Sequence, residues 1–170
     1  MQPTDTIMGQ TVYALIEHRL TPEEILKLPG RLQTSSNEVI AGHWLWTVLN
    51  IDANVLADLW AKKAEYFINN PWSDEDLALL QHDNRTLHFY SPNLVTFTNS
   101  LSWDTYNINE VLRKDFNGLA KETSELLSAI DIIIVPDLSG VDFFYEGRDL
   151  TVSAYRQKAN GNKLFAAEIN

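Results

Sequence analysis

The four residues Ile132–Val135 are all apolar and β-branched, and a long helical pattern over 108–129 leads directly into them. Such a run reads as a buried strand, suited to the centre of a sheet. In the preceding helix Ile108, Leu112, Phe116, Leu119, Leu126 and Ile130 recur at helical spacing, and Asn107 with Glu110 has the spacing of a capping box. A chain built this way must lay at least one helix across a sheet. Gly118 lies inside that helix, where glycine costs about 1 kcal/mol against alanine. Something other than propensity must therefore hold the helix there.

The rest of the pattern supports a mixture of elements without regular strand–helix alternation. Residues 11–18 are β-rich and read as a mostly buried strand. Thr21, Pro22 and Glu24 supply an N-cap, a first-turn proline and a capping box, Leu20 and Ile25 a hydrophobic staple, and Pro29-Gly30 a stop. The stretch 38–49 is apolar on every face, so periodicity does not separate a buried strand from a buried helix, and its two tryptophans and β-branched residues favour the strand. Residues 53–68 show a helical stripe that Asn50 or Asp52 can cap. A short helix is expected over 73–81, and Ser91-Pro92-Asn93 turns a hairpin between 86–90 and 94–98. Towards the C-terminus, 141–145, 150–155 and 163–169 read as a β-meander using Asn160-Gly161 as a turn, with a helix over 149–159 as the competing assignment. The expectation is a single α+β domain over 1–170 with a flexible 1–10 segment, a mixed or antiparallel sheet and three to four helices.

Composition narrows function mainly by exclusion. The 170 residues include no cysteine, so disulfides, zinc–thiolate sites and thiol nucleophiles are ruled out. Thirteen Lys and Arg face 23 Asp and Glu, and a net charge of −10 argues against nucleic acid and anionic membranes as direct ligands. Disorder fits poorly with 11% aromatic residues. No basic and apolar leader opens the chain, so a cytoplasmic location is expected. No glycine-rich phosphate loop occurs, and the four histidines lack any spacing that puts two imidazoles on one helical face. Neither a metal nor a cofactor is expected.

What remains is surface chemistry. Trp72 with Asp74, Glu75 and Asp76, and Trp103 in Ser-Trp-Asp-Thr-Tyr, place aromatic and acidic residues together on expected loops. Asp137, Asp142 and Glu146 form a second acidic group. Aromatics beside carboxylates suit a rim that receives Arg or Lys from a basic protein. In its general properties the chain resembles bacterial immunity proteins, which neutralise basic nuclease toxins through acidic surfaces. That resemblance is one of class, and it implies an antitoxin-like binding protein, monomeric or weakly oligomeric, with a basic partner. The alternative is a small metal-dependent hydrolase using Asp137 and neighbouring carboxylates, because a carboxylate just past a central strand is a common enzyme position. His82, Asp83 and His88 are a weaker acid–base or metal candidate.

Overall fold

The computed structural model describes residues 10–38, 40–69, 79–136, 151–163 and 166–169, with 62–69 as backbone only. In chain order these form β1 (Val12–Glu17), α1 (Pro22–Leu26), α2 (Leu28–Gln33), β2 (Leu45–Trp46), α3 (Ala53–Asn69), β3 (Leu79–His82), β4 (Arg85–Phe89), β5 (Leu94–Thr98), α4 (Trp103–Ile108), α5 (Glu110–Leu126), β6 (Asp131–Pro136) and α6 (Val152–Ala159). The strands make one antiparallel sheet in the order β2-β3-β4-β5-β1-β6. Helices and strands are mixed as in an α+β fold.

The period of two along β1 divides its side chains between two cores. Val12, Ala14 and Ile16 join Phe97, Ile134, Leu56 and Phe116 on one face. Leu15 joins Leu94, Ile133, Val135 and three α6 residues, Val152, Tyr155 and Ala159, on the other. Helices thus cover both faces of the sheet. Glu17 fixes α6 against β1, because its carboxylate accepts the Val152 N–H at 2.8 Å. Negative charge at that helix start is favourable in itself.

Local chemistry accounts for several elements directly. Thr21 Oγ1 accepts the Glu24 N–H at 3.2 Å, and Glu24 Oε2 accepts the Thr21 N–H at 2.7 Å, closing the expected capping box. These bonds hold the Glu24 carboxyl below its ordinary range. Asp52 caps α3 by accepting the Val55 N–H at 2.8 Å. The hairpin at 91–93 forms as the sequence predicts, with Ser91 Oγ accepting the Leu94 N–H at 3.2 Å.

Other expectations are corrected. Pro29-Gly30 does not stop the chain; Pro29 occupies the first turn of α2, where its missing N–H costs nothing. Among the described residues of 38–49, only the two-residue β2 is strand. Ile40 and Trp44 are buried and joined by a bond from Trp44 Nε1 to the Ile40 carbonyl at 2.9 Å, which curls the chain. Gly42 lies so close to His82 that a Cβ there would collide with the imidazole. Residues 79–81, expected to end a helix, belong to β3, while 73–78 lie outside the described residues.

The cap of α5 is Asn109, not Asn107, since Asn109 Oδ1 accepts the Leu112 N–H at 3.1 Å. Extended backbone at Asn109 separates α4 from α5 and shifts the helical phase. Phe116, Ala120 and Thr123 consequently face inward, whereas Ile108 and Leu112 are exposed. A Cβ built at Gly118 meets nothing within 4 Å. Gly118→Ala is therefore expected to raise stability by about 1 kcal/mol, measured by denaturant unfolding. A loss would mean that packing within the chain requires the glycine.

The C-terminal meander is also corrected for its second and third strands; 141–145 lies outside the described residues. Residues 152–159 are helical because Thr151 Oγ1 caps the Ala154 N–H at 3.0 Å. Asn160 and Gly161 do adopt positive φ, 50° and 71°, but they end this helix rather than turn a hairpin. Among the described residues after it, only Ala167 bridges to the sheet, at Ile134.

That bridge bears on β6, which is an edge strand and not a central one. Its outward groups are nonetheless occupied. Ile134 exchanges both backbone bonds with Ala167 at 2.9 and 2.8 Å. The Ile132 carbonyl accepts Arg156 Nη2 at 3.3 Å, and the Ile132 N–H donates to Asp131 Oδ1 at 2.8 Å. Pro136 has no N–H to offer. Arg156 also grips Asp131 bidentately at 2.9 and 3.0 Å and reaches Glu168. This pairing holds the Asp131 carboxyl below its usual range and raises the guanidinium. A lysine cannot reproduce the fork. Arg156→Lys is expected to cost about 1 kcal/mol, given partial solvent exposure, and to speed exchange of the Ile134 and Ala167 amides about tenfold.

Candidate functional site

The two acidic groups read from the sequence fall almost wholly outside the described residues, which include none of Trp72, Asp74, Glu75, Asp76, Asp137, Asp142 or Glu146. Trp103 is described, and its expected loop position is corrected. Ser102 Oγ accepts the Thr105 N–H at 3.1 Å and starts α4, so Trp103 becomes its first residue. The indole is only 5% exposed and stacks on Tyr106 with a ring separation of 5.6 Å and an interplanar angle of 7°. Little of it is left for a partner to touch.

The histidine candidate separates for a simple reason. His82 and His88 stand six apart, but the turn between β3 and β4 intervenes, and the register pairs His82 with Arg85 and Leu79 with His88. They lie at opposite ends of the hairpin and on opposite faces. His82 stacks near Trp44 at 5.7 Å, whereas His88 stacks on Tyr90 at 3.7 Å. Among the described residues no group of three or more His, Asp or Glu is placed to hold a metal ion.

A site the sequence reading missed lies between the end of α2 and the last two turns of α5. Arg31 Nη2 donates to the Leu126 carbonyl at 2.7 Å, where the dipole of α5 favours a cation. This contact draws the loop after α2 beside α5 and leaves an open groove of about 560 Å³, lined by Arg31, Ser35, Ser36, Ile40, Glu122 and Glu125 among others. Asn37 shapes its loop by donating its N–H to Ser35 Oγ at 3.2 Å. Glu122 and Glu125 are both exposed, and among the described residues neither is in a salt bridge. Their three-residue spacing puts both carboxylates on one side of the helix. The groove can accept hydrogen bonds from a guanidinium or ammonium group.

A second exposed feature adjoins the other end of α5. Ile108 and Val111 are 85% and 68% exposed, and Leu112 lies beside them. Clustered exposed aliphatics of this kind mark contact surfaces more often than isolated ones do. Arg156, by contrast, offers no spare charge to a ligand, since Asp131, Glu168 and the Ile132 carbonyl already occupy its guanidinium.

No described helix is long and apolar enough to cross a membrane. The chain matches no protein-family model, and searches of curated proteins and of solved structures likewise find no match.

Proposed function

We propose that this protein works by binding another protein whose basic side chains enter an acidic surface, in the manner of an immunity or antitoxin-like protein acting in the cytoplasm. The observation that carries the reading is the groove beside α5, with Glu122 and Glu125 exposed and outside any described salt bridge. A net charge of −10 supplies the long-range attraction that speeds encounter with a cationic partner. The exposed aliphatics Ile108, at the end of α4, and Val111, in the first turn of α5, add apolar contact away from the groove. Acid at one end of α5 and apolar groups at the other suit an extended partner surface that carries both Arg or Lys and hydrophobic residues.

The test is affinity capture of the tagged chain from its own cells at low and high salt, with bound proteins identified by mass spectrometry. A stoichiometric basic partner, retained at low salt and released at high salt, is the expected result. The double reversal Glu122→Lys with Glu125→Lys is expected to weaken that complex about tenfold while the variant unfolds normally. Reversals at Asp74 with Asp76, and at Asp137 with Asp142, test the two sequence-predicted clusters in the same assay. A complex indifferent to salt and to all three reversals would refute an acidic binding face.

A further inference from the structure

We infer that the cavity between α6, the edge of β6 and the residues that follow α6 binds a small organic carboxylate, with its apolar tail inward and its head at Lys163. The inference is independent of the acidic groove, with which this cavity shares no lining residue. Asn160 and Gly161, both at positive φ, end α6 and turn the chain back, and Ala167 then pairs with Ile134. The residues around this return are small. Ala159, Gly161, Ala166 and Ala167 leave a space of about 340 Å³ that larger side chains would fill. Such a volume lies at the lower end of small-molecule pockets.

The lining divides into an apolar interior and a polar mouth. Ile133 and Ala159 are buried, and with the half-buried Ala166 and Ala167 they form the inner part. Asn107, Gly161 and Lys163 are exposed and stand at the mouth. An apolar interior beneath a few polar groups suits an amphipathic ligand, since burying its tail removes apolar surface from water. The space equals that of about ten water molecules in the liquid, enough for an acid with a tail of a few methylenes.

The groups at the mouth set the sign of the head. Arg156 and Glu168 also border the cavity, but both Glu168 oxygens lie on the guanidinium, at 2.6 and 3.3 Å, and Asp131 occupies the rest of it. Lys163 is in no salt bridge among the described residues, so its ammonium is the lining charge left open to a ligand. The Asn107 amide gives one N–H to the Trp103 carbonyl at 2.8 Å and keeps its second. The backbone N–H groups of Gly161 and Lys163 donate no hydrogen bond among the described residues. One cation among neutral donors matches a carboxylate better than a dianionic phosphate.

The experiment is an NMR titration of the purified, isotopically labelled full-length chain with sodium hexanoate, to about 20 mM at constant pH and ionic strength. Saturable shifts at the amides of Gly161, Lys163, Ala166 and Ala167 are expected, with a Kd of about 1 mM. Butyrate binds about tenfold more weakly, because each buried methylene contributes about fourfold in affinity. Lys163→Gln weakens hexanoate about fivefold and leaves hexanol unchanged, which separates recognition of the head from burial of the tail. Ala166→Leu fills the cavity and abolishes binding of both, with the thermal transition retained as the check on folding. Absence of saturable shifts at these four amides overturns the inference. So does hexylamine binding as tightly as hexanoate, which would put Glu168 and not Lys163 at the head, and so does hexanoate affinity that Lys163→Gln leaves unchanged.

Discussion

Trp103→Ala is expected to lower stability by about 4 kcal/mol, the range for removing a large aromatic from a core. The indole begins a line of rings through the main core. It stacks on Tyr106, Tyr106 meets Phe116 edge-on at 5.9 Å, and Phe116 packs on Phe97 at 5.6 Å. Tyr106 is itself fixed by donating its hydroxyl to Asn117 Oδ1 at 2.8 Å, joining α4 to α5. Burial raises the pKa of that hydroxyl. The backbone of Trp103 also takes part, donating its N–H to the Gln10 carbonyl at 2.8 Å and accepting Asn107 Nδ2 at 2.8 Å. Truncation leaves a cavity at the junction of β1, α4 and α5. Urea unfolding should show a lower midpoint with an unchanged slope. A loss below about 0.5 kcal/mol, the ordinary cost of a surface change, would instead put Trp103 on a rim.

The second large effect is acid lability from His18. The side chain is fully buried, meets Phe89 edge-on at 6.3 Å, and accepts the Leu20 N–H on Nδ1 at 3.1 Å. Nδ1 must therefore carry the lone pair and Nε2 the proton, and Nε2 has no hydrogen-bond partner among the described residues. Protonation would set a second N–H against the Leu20 amide in a buried site. Burial accordingly lowers the pKa from 6.5 to about 4. The unfolded chain then binds the extra proton first, so stability is fully present above about pH 6.5 and falls as the pH drops towards 4. The difference amounts to about 3 kcal/mol.

His18→Asn isolates this contribution, because its Oδ1 can still accept from Leu20 while nothing titrates. Urea unfolding of both proteins from about pH 7 to 4 is expected to show a steep acid slope in the parent and a shallower one in the variant. Asp131 and Glu24 do not confuse the comparison. Their carboxyls are held below ordinary values of 3.8 and 4.5, so their contributions are present at neutral pH and fade as the pH falls below that range. Equal slopes above about pH 5 would refute the role given to His18.

Where the sequence predicted well, the determinant was local. Thr21 and Glu24 contact each other across three residues, Ser91 and Leu94 do the same, and Asp52 reaches Val55. Where it failed, the deciding contact came from far along the chain. Gly42 is held against His82, and that proximity shapes a stretch whose β-branched and aromatic residues favour a strand. The position of β6 depends on Arg156 and Ala167, which no property of Ile132–Val135 announces. Asn160-Gly161 has the positive φ its sequence predicts but ends a helix, since that conformation serves a helix end as well as a hairpin. The acidic pair Glu122 and Glu125 is visible as a spacing. Its groove exists because Arg31 meets Leu126 across 95 residues, which spacing along one helix cannot reveal.

The two borders of the sheet are unlike. At β6 the outward backbone groups are met by Ala167, Arg156 and Asp131, and at β2 the border is a strand of two residues with exposed Leu45 and Leu49 beside it. Among the described residues, growth of this sheet by a foreign strand is thus polar: it is open beyond Leu45 and Trp46 and blocked along Asp131–Pro136. Any fibre or swapped assembly seeded by the folded sheet would extend in one direction. A charged residue in place of Leu45 would guard the less protected of the two described borders.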